Sequence, residues 1–194
     1  DVMSKGGLRA GDVPLLTKPI GTGTLFAAHA KLAAKGRWID SALASMMQSN
    51  KDAAQCLRRY GSRACTDVTG FGLLGHLVEM TRPSGVDAEL DLSAIPILPG
   101  AEETAAAGIL SSLQPANIRL RRGIRDQEKW VNHPRYPLIF DPQTAGGLLA
   151  SVPADQADAC ISELKAMGYP HTAIIGRVLP QDESGPIEPI TLRD

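Results

Sequence analysis

The chain has 194 residues, of which 43% are hydrophobic and 4% aromatic, and its formal net charge is −1 at pH 7. This length fits one well-filled domain and is too short for two large ones. The near-neutral charge and the few aromatic side chains argue against nucleic-acid binding, and no apolar run is long enough to cross a membrane. Three cysteines without CxxC spacing indicate reduced thiols and a cytoplasmic location rather than a disulfide framework or a zinc site.

The N-terminal third of the chain is predicted to contain one strand followed by helices. Residues 1–12 are expected to be a linker that begins in mid-structure, and residues 13–17 form a short apolar strand. Helices are predicted over residues 25–34, 39–47 and 52–60. Asn50 precedes the third helix and is expected to cap its N-terminus, because Asn side chains accept hydrogen bonds from the first free N–H groups.

The rest of the chain alternates strands and helices around one irregular region, residues 108–137. Strands are predicted over residues 65–68, 86–92, 137–140, 148–152 and 173–179, and helices over 71–80, 101–107 and 154–167. Gly168 is well placed to end the last helix. This interleaving without an internal repeat predicts an α/β or α+β fold with a largely mixed sheet.

The most informative motif covers residues 64–76 and reads ACTDVTGFGLLGH. It places the Asp67 carboxylate between the hydroxyls of Thr66 and Thr69, and Gly70 begins a set of three glycines. A carboxylate is a hard oxygen ligand of the kind that Mg²⁺ takes from proteins alongside substrate phosphates. Glycines allow close backbone approach, and the N–H groups of the following helix would face a bound anion. The motif therefore indicates a metal–phosphate corner, and the alternative is a turn in which Asp67 caps the helix.

Two further glycine-containing turns accompany this motif: residues 17–24 read TKPIGTGT and residues 141–147 read DPQTAGG. The first lies between a predicted strand and helix, where backbone N–H groups form anion cradles, but it lacks the P-loop and dinucleotide-binding spacings. Taken alone, each turn is better explained by turn chemistry, because Pro and Gly form tight corners without any ligand. The candidate phosphate-proximal residues of these turns are Lys18, Gly21, Thr22, Gly23, Thr144, Gly146 and Gly147.

In this order the three motifs closely resemble the C-terminal domain of selenophosphate synthetase (selenide, water dikinase). The segments that carry the resemblance are LTKPIGTG at 16–23, TDVTGFGLLGH at 66–76 and FDPQTAGGLL at 140–149. Shorter similarities are AIPILPG at 94–100, PAN at 115–117 and AIIGRV at 173–178. The wider superfamily, which includes aminoimidazole ribonucleotide synthetase, shares these turns more loosely.

The resemblance implies a phosphotransferase that makes selenophosphate, AMP and phosphate from selenide, ATP and water with Mg²⁺. Enzymes of this family are homodimers in which N-terminal domains hold most of the ATP. By that analogy residues 13–180 are a three-layer α/β/α domain that closes over the phosphates, and residues 181–194 are a polar tail. Asp67 matches the family's metal-ligand aspartate, and Asn117 matches a position near the phosphates. Carboxylates that hold Mg²⁺ help to neutralise the charge on transferring phosphoryl groups.

The reactive Cys or selenocysteine of that family, its partner Lys and its Gly-rich loop match nothing in this chain. We therefore expect the chain to be part of a longer enzyme, inactive alone, with an N-terminal ATP-binding domain as its partner. Two alternatives stay open. One is the C-terminal domain of a purine-pathway or other ATP-using relative, and the other is a structural or dimerising domain within a fusion protein.

Two further sets of polar side chains receive structural interpretations. His76, the last residue of the 64–76 motif, is expected to pack or cap the helix predicted over 71–80 rather than to bind an anion. The arginines of the irregular region are expected to form a solvated face, and they are Arg119, Arg121, Arg122 and Arg125.

Overall fold

The computed structural model describes residues 4–194 and has an α+β fold with two β-sheets. The strands are β1 (Asp12–Leu16), β2 (Cys65–Asp67), β3 (Val86–Asp91), β4 (Leu148–Pro153), β5 (Ala173–Ile174), β6 (Gly176–Pro180) and β7 (Ile190–Arg193). The α-helices are α1 (Thr22–Ala30), α2 (Gly36–Met47), α3 (Lys51–Arg59), α4 (Gly72–Ser84), α5 (Ala101–Ala106), α6 (Gln114–Asn117) and α7 (Ala157–Ala166). The predicted interleaving of helices and strands is confirmed. Within these residues no helix combines the length and apolarity that crossing a membrane needs.

The larger sheet is antiparallel, with strand order β2-β4-β1-β5, and it is packed on both faces. Successive residues of a strand face opposite sides, so Leu15 joins an apolar cluster with Leu57 of α3 and Leu164 of α7. Leu16 joins the main cluster on the other face, which includes Leu74 of α4. Because the sheet is covered on both faces, its central strand β4 is buried over Leu148–Val152, with side chains facing either side.

The smaller sheet has the order β6-β3-β7, in which β3 pairs antiparallel with β6 and parallel with β7. Strand β7 lies in the segment expected to be a polar tail, so that expectation misses the last strand. Ile190 is fully buried and Leu192 is 3% exposed, and these alternate positions supply the apolar face that a strand needs. The proline-rich residues before β7 hid this short pattern.

The segment predicted as one strand over residues 173–179 is instead two strands that belong to different sheets. Ile175 lies between them, donating its N–H to the Pro14 carbonyl at 3.0 Å and accepting from Asp91 N at 2.8 Å. A Cβ built at Gly176 would lie 1.8 Å from the Glu89 carbonyl oxygen, so the chain crosses between sheets at a position that excludes a side chain. Local apolar alternation cannot reveal such a crossing.

The strand predicted over residues 137–140 is wrong, because Tyr136–Phe140 form a 3-10 helix. Pro137 fixes φ in the helical range and lacks the N–H that a strand ladder needs. A short apolar run is equally compatible with either structure when periodicity alone is considered. The irregular region before it contains α6 and short 3-10 turns.

Helix ends agree with the sequence at one terminus and differ at another. Gly168 follows α7 with φ 95°, as expected for a residue that stops a helix. Asn50 does precede α3, but its side chain makes no cap hydrogen bond, so the predicted capping role is wrong.

Part of the expected N-terminal linker packs against the body of the molecule, although residues 1–3 lie outside the described part of the chain. The Ser4 carbonyl accepts a hydrogen bond from Cys65 N at 3.0 Å, and Leu8 is 4% exposed. The segment that leads into β1 therefore lies beside the start of β2.

Candidate functional site

The register of the larger sheet brings the three glycine motifs to one edge. Strand β4 lies between β1 and β2 and is antiparallel to both, with Leu16 opposite Leu149 and Asp67 opposite Leu148. The C-terminal ends of β1 and β2 therefore flank the start of β4. The turns that follow β1 and β2 meet the 141–147 turn that precedes β4.

The 141–147 turn is hydrogen-bonded to both of its neighbours. On one side, Gln143 N donates to the Thr69 carbonyl at 3.0 Å and Val68 N donates to the Gly147 carbonyl at 2.8 Å. On the other side, Thr144 N donates to Thr22 Oγ1 at 3.0 Å. These bonds fix the distance between the first and second motifs through the third.

Glycine is required at the turn because backbones approach closely there. A Cβ built at Gly146 would lie 2.2 Å from the Val68 carbonyl oxygen, and one at Gly147 would lie 2.6 Å from Lys18 N. At Gly70, by contrast, a Cβ would meet nothing within 4 Å. The Gly-Gly pair therefore serves packing, whereas Gly70 faces open space.

The N-terminus of α1, a candidate anion cradle, is occupied by side chains of the 141–147 turn. Gln143 Oε1 accepts from Gly21 N at 2.9 Å and from both Thr22 N and Thr22 Oγ1 at 3.2 Å. Asp141 Oδ2 accepts from Gly23 N at 3.0 Å and from Gln143 Nε2 at 3.1 Å. A carboxylate and an amide of the protein itself thus satisfy the N–H groups that the sequence offers to a phosphate.

Asp141 is fully buried, and burial raises the pKa of its carboxyl to about 7. Its Oδ1 atom has no hydrogen-bond partner within residues 4–194. A Cβ at Gly23 would lie 2.5 Å from that oxygen, so the helix start and the carboxyl are in direct contact. Sequence reasoning missed Asp141 and Gln143, because their partners at the start of α1 lie more than 100 residues away. The only available signal was their place in the DPQTAGG motif.

Asp67 has the opposite environment. It is exposed at the end of β2, and no hydrogen bond or ion pair reaches its carboxylate from residues 4–194. It does not cap α4, since that helix has no side-chain cap bond. The carboxylate borders a cavity of about 550 Å³ that is also lined by Lys5, Asn50, Ala54, Cys65, Thr66 and Leu148.

This cavity can accept a hard cation through Asp67 but not enclose one. Within residues 4–194 no group of three or more His, Cys, Asp or Glu side chains is placed to hold a metal ion. An open carboxylate with free lone pairs fits Mg²⁺, which keeps several waters and takes one or two carboxylates plus phosphate oxygens. The described residues supply a single such ligand.

Thr66 and Thr69 stand on either side of Asp67 and are both partly withdrawn from solvent. Thr66 is 7% exposed, with its hydroxyl 3.4 Å from the Asp67 carbonyl oxygen. Thr69 N donates to His76 Nε2 at 3.1 Å, and the Thr69 hydroxyl lies 3.2 Å from the same nitrogen. Because His76 Nε2 accepts a backbone N–H, the neutral ring carries its proton on Nδ1, which lies 3.4 Å from Glu79 Oε2.

His76 is 3% exposed, and burial lowers the pKa of its imidazole. The ring holds the backbone of the motif, which agrees with the predicted packing or capping role. Asn117 also contacts backbone, since its Nδ2 donates to the Gly70 carbonyl at 2.7 Å and to the Phe140 carbonyl at 3.1 Å. Both side chains therefore tie the loop after β2 to its surroundings.

Lys18 and Asn50 bind carbonyl groups of the 141–147 turn from two directions. Lys18 is 2% exposed, and its Nζ donates to the Gln48 carbonyl at 2.6 Å and to the Ala145 carbonyl at 3.2 Å. Burial lowers the pKa of this ammonium. Asn50 Nδ2 donates to the Gly146 carbonyl at 2.9 Å, whereas its Oδ1, the atom that could cap α3, has no hydrogen-bond partner within residues 4–194. Thr144, between these contacts and α1, is exposed.

The arginines of the irregular region divide into two groups. Arg119, Arg121 and Arg122 are exposed, as expected for a solvated face. Arg125 is half-buried and binds Asp87 Oδ2 at 2.5 Å and the Glu188 carbonyl at 2.6 Å. It therefore anchors the segment before β7, so the solvated-face interpretation is wrong for this residue.

Comparison with known proteins identifies one family over most of the chain. The sequence model described as "AIR synthase related protein, C-terminal domain" matches residues 9–187. A protein named selenide, water dikinase 2 from Peptoclostridium acidaminophilum is 37% identical over 185 residues, which cover 94% of this chain and 52% of the relative. A selenide, water dikinase from Treponema denticola is 38% identical over 191 residues, with the same two shares covered. The chain thus spans about half the length of the curated relatives it matches.

Solved structures share the fold at lower sequence identity. HypE of E. coli matches with a TM-score of 0.70 and 20% identity, over 98% of this chain and 49% of that protein. Thiamine-monophosphate kinase of Stenotrophomonas maltophilia matches with a TM-score of 0.66 and 18% identity, over 98% of this chain and 52% of that protein. At these identities the likeness concerns the fold alone.

Proposed function

The chain belongs to the family of AIR synthase related proteins, C-terminal domain, and on this premise we propose that it is the C-terminal half of a selenide, water dikinase. The proposed enzyme converts selenide, ATP and water to selenophosphate, AMP and phosphate. The names of the 37% and 38% identical relatives support this activity over a purine-pathway one. The match covers 52% of those relatives, which supports a second half of the enzyme, and we propose that this half binds ATP.

The observation that carries the proposal is the open carboxylate of Asp67. It lies at the sheet edge where the three motifs meet, beside a cavity of about 550 Å³, and it has no partner within residues 4–194. In the proposed enzyme Asp67 contributes one oxygen ligand to Mg²⁺. The bound ion supplies charge neutralisation for ATP phosphate oxygens during phosphoryl transfer.

The other residues of the edge take two roles in this proposal. We propose that the first group faces the phosphates, because its members lie around Asp67 or on the exposed side of the turns. This group consists of Thr66, Thr69, Gly70 and Thr144. The second group shapes that surface through backbone contacts, and it consists of Lys18, Gly21, Thr22, Gly23, Asn117, Gly146 and Gly147. We further propose that the enzyme acts as a cytoplasmic homodimer.

A product measurement tests the activity. The full-length protein encoded with this chain, supplied with selenide, ATP and Mg²⁺, is expected to give the phosphorus NMR signal of selenophosphate together with AMP. The 194-residue chain alone is expected to give neither, because residues 4–194 present one open carboxylate at this site to a reaction that needs several. ATP consumption by the full-length protein that does not depend on selenide would contradict the proposal.

A further inference from the structure

Lys18 is a buried cation that is held by carbonyl groups alone. It is among the largest fully buried side chains, at 2% exposure, and no carboxylate within residues 4–194 forms an ion pair with it. Burying an ammonium is costly unless hydrogen bonds replace its hydration. The Gln48 and Ala145 carbonyls provide that replacement, so their positions and that of Lys18 are coupled.

A nearby cation stabilises both the Gln48 and the Ala145 carbonyl groups, for different physical reasons. Gln48 is the residue that follows α2, where the last carbonyls carry the negative end of the helix dipole. Ala145 has φ 49°, a left-handed conformation that costs an alanine free energy and persists only when the surroundings impose it. The Lys18 ammonium, at 3.2 Å from the Ala145 carbonyl oxygen, is one of those surroundings.

The backbone from Ala145 leads directly to Asp67. Gly146 is in tight contact with the Val68 carbonyl, and Gly147 accepts the Val68 N–H at 2.8 Å. The next residue, Leu148, is the register partner of Asp67. A shift of Ala145 is therefore transmitted through consecutive residues to the strand end that carries the Asp67 carboxylate.

We propose that Lys18 is a positioning residue, which holds Ala145 against the end of α2 and thereby sets where Asp67 presents its carboxylate. The proposal rests on the function proposed for Asp67. It assigns Lys18 an internal role, acting through the turn, rather than direct contact with a phosphate.

The test compares Lys18→Met with Lys165→Met, a matched change at an exposed lysine of α7, in the full-length protein. Lys18→Met is expected to raise the Mg²⁺ concentration for half-maximal selenide-dependent ATP turnover by about tenfold, which corresponds to a loss of about 1.4 kcal/mol in the free energy of ion binding. The KM for selenide is expected to stay unchanged. Lys165→Met is expected to match the wild type in both quantities.

Amide hydrogen exchange in the full-length protein provides a measurement that does not depend on the activity. Lys18→Met is expected to speed exchange in residues 144–148 and at Val68, with α7 unchanged. If the full-length protein proves not to use selenide, this exchange pattern still tests the coupling of Lys18 to the Asp67 strand. Equal exchange in residues 144–148, or an unaltered Mg²⁺ requirement in an enzyme that does use selenide, would overturn the proposal.

A second variant covers the case in which Lys18→Met does not fold. Ala145→Gly removes the conformational cost at position 145, because glycine adopts positive φ freely. The double variant Lys18→Met/Ala145→Gly is therefore expected to fold and still to show the raised Mg²⁺ requirement. A double variant with wild-type Mg²⁺ dependence would show that Lys18 serves stability only.

Discussion

Two aspartates on the same sheet edge have opposite environments. Asp141 is fully buried, binds the N-terminus of α1 and has its pKa raised to about 7 by burial. Asp67 is exposed and has no partner within residues 4–194. Each lies beside a glycine-containing turn, so neither motif alone distinguishes the two roles.

The contrast between Asp141 and Asp67 shows that a glycine-rich turn at a helix start is not by itself a ligand site. The α1 cradle has the N–H groups that a phosphate would need, yet Gln143 and Asp141 already accept from them. At Asp67 the backbone is equally constrained, but the carboxylate has free lone pairs next to a cavity. Substitutions at Asp67 are therefore expected to change activity and metal binding, whereas substitutions in the 141–147 turn are expected to change the stability of the fold.

The largest effect is expected from Asp67→Asn, which removes charge at constant shape. In the full-length protein, selenide-dependent ATP turnover should fall by at least about 100-fold, a typical loss when a group that stabilises transition-state charge is removed. The free energy of unfolding should change by less than about 0.5 kcal/mol, because the side chain is exposed. Asp40→Asn, an exposed aspartate on α2, is the matched control and should retain full turnover. Comparable losses of turnover in Asp67→Asn and Asp40→Asn would contradict a specific role for the Asp67 carboxylate.

The next effect is expected from Gly146→Ala, on the structural side of the comparison. A Cβ there would lie 2.2 Å from the Val68 carbonyl oxygen, so the backbones must separate. We expect a loss of about 2 to 3 kcal/mol in the free energy of unfolding, measured by urea denaturation. Gly70→Ala, where a Cβ meets nothing within 4 Å, should cost less than about 0.5 kcal/mol. Equal losses at the two positions would show that the 141–147 turn is not tightly packed.

The third expected effect is a slope with pH, seen by comparing the wild type with Asp141→Asn. The folded pKa of Asp141 is raised from 3.8 to about 7, so its contribution to stability is fully present below 3.8 and is lost as pH rises through about 7. The stability of the wild type relative to Asp141→Asn should therefore decline between about pH 4 and about pH 7 and then level off. Taking the difference between the proteins cancels groups common to both, including His76. If the difference in the free energy of unfolding between the two proteins stayed constant from about pH 4 to about pH 7, the raised pKa of the buried Asp141 carboxyl would be contradicted.

The sequence predicted most of the helices and strands but not which strands belong to which of the two sheets. Helices such as α2 and α7 have clear periodicity and a stop signal at Gly168, whereas β7 is short and follows prolines. Residues 136–140 form a 3-10 helix because Pro137 overrides the apolar pattern. The division at Ile175 depends on contacts with Pro14 and Asp91, which lie far away in the sequence.

For the site, sequence reasoning selected the three motifs but not their internal contacts. Asp67 stands out in the sequence because its carboxylate lies between two threonines and is followed by three glycines. The bonds of Gln143 and Asp141 to the start of α1, and the bond of Lys18 to Ala145, join residues more than 100 positions apart, so no local spacing predicts them. The second partner of Lys18, Gln48, lies 30 residues away. Asn50 was assigned to its own helix for the same reason, although its amide binds Gly146.

The most direct test of the account is the binding of Mn²⁺, as a spectroscopic substitute for Mg²⁺, to the full-length protein in the presence of a non-hydrolysable ATP analogue. Electron paramagnetic resonance measures the free ion and therefore the affinity. We expect Asp67→Asn to weaken the binding of one ion by at least about tenfold, and Asp40→Asn to bind as the wild type does. Equal Mn²⁺ affinity in Asp67→Asn and the wild type would contradict the claim that this carboxylate holds a metal.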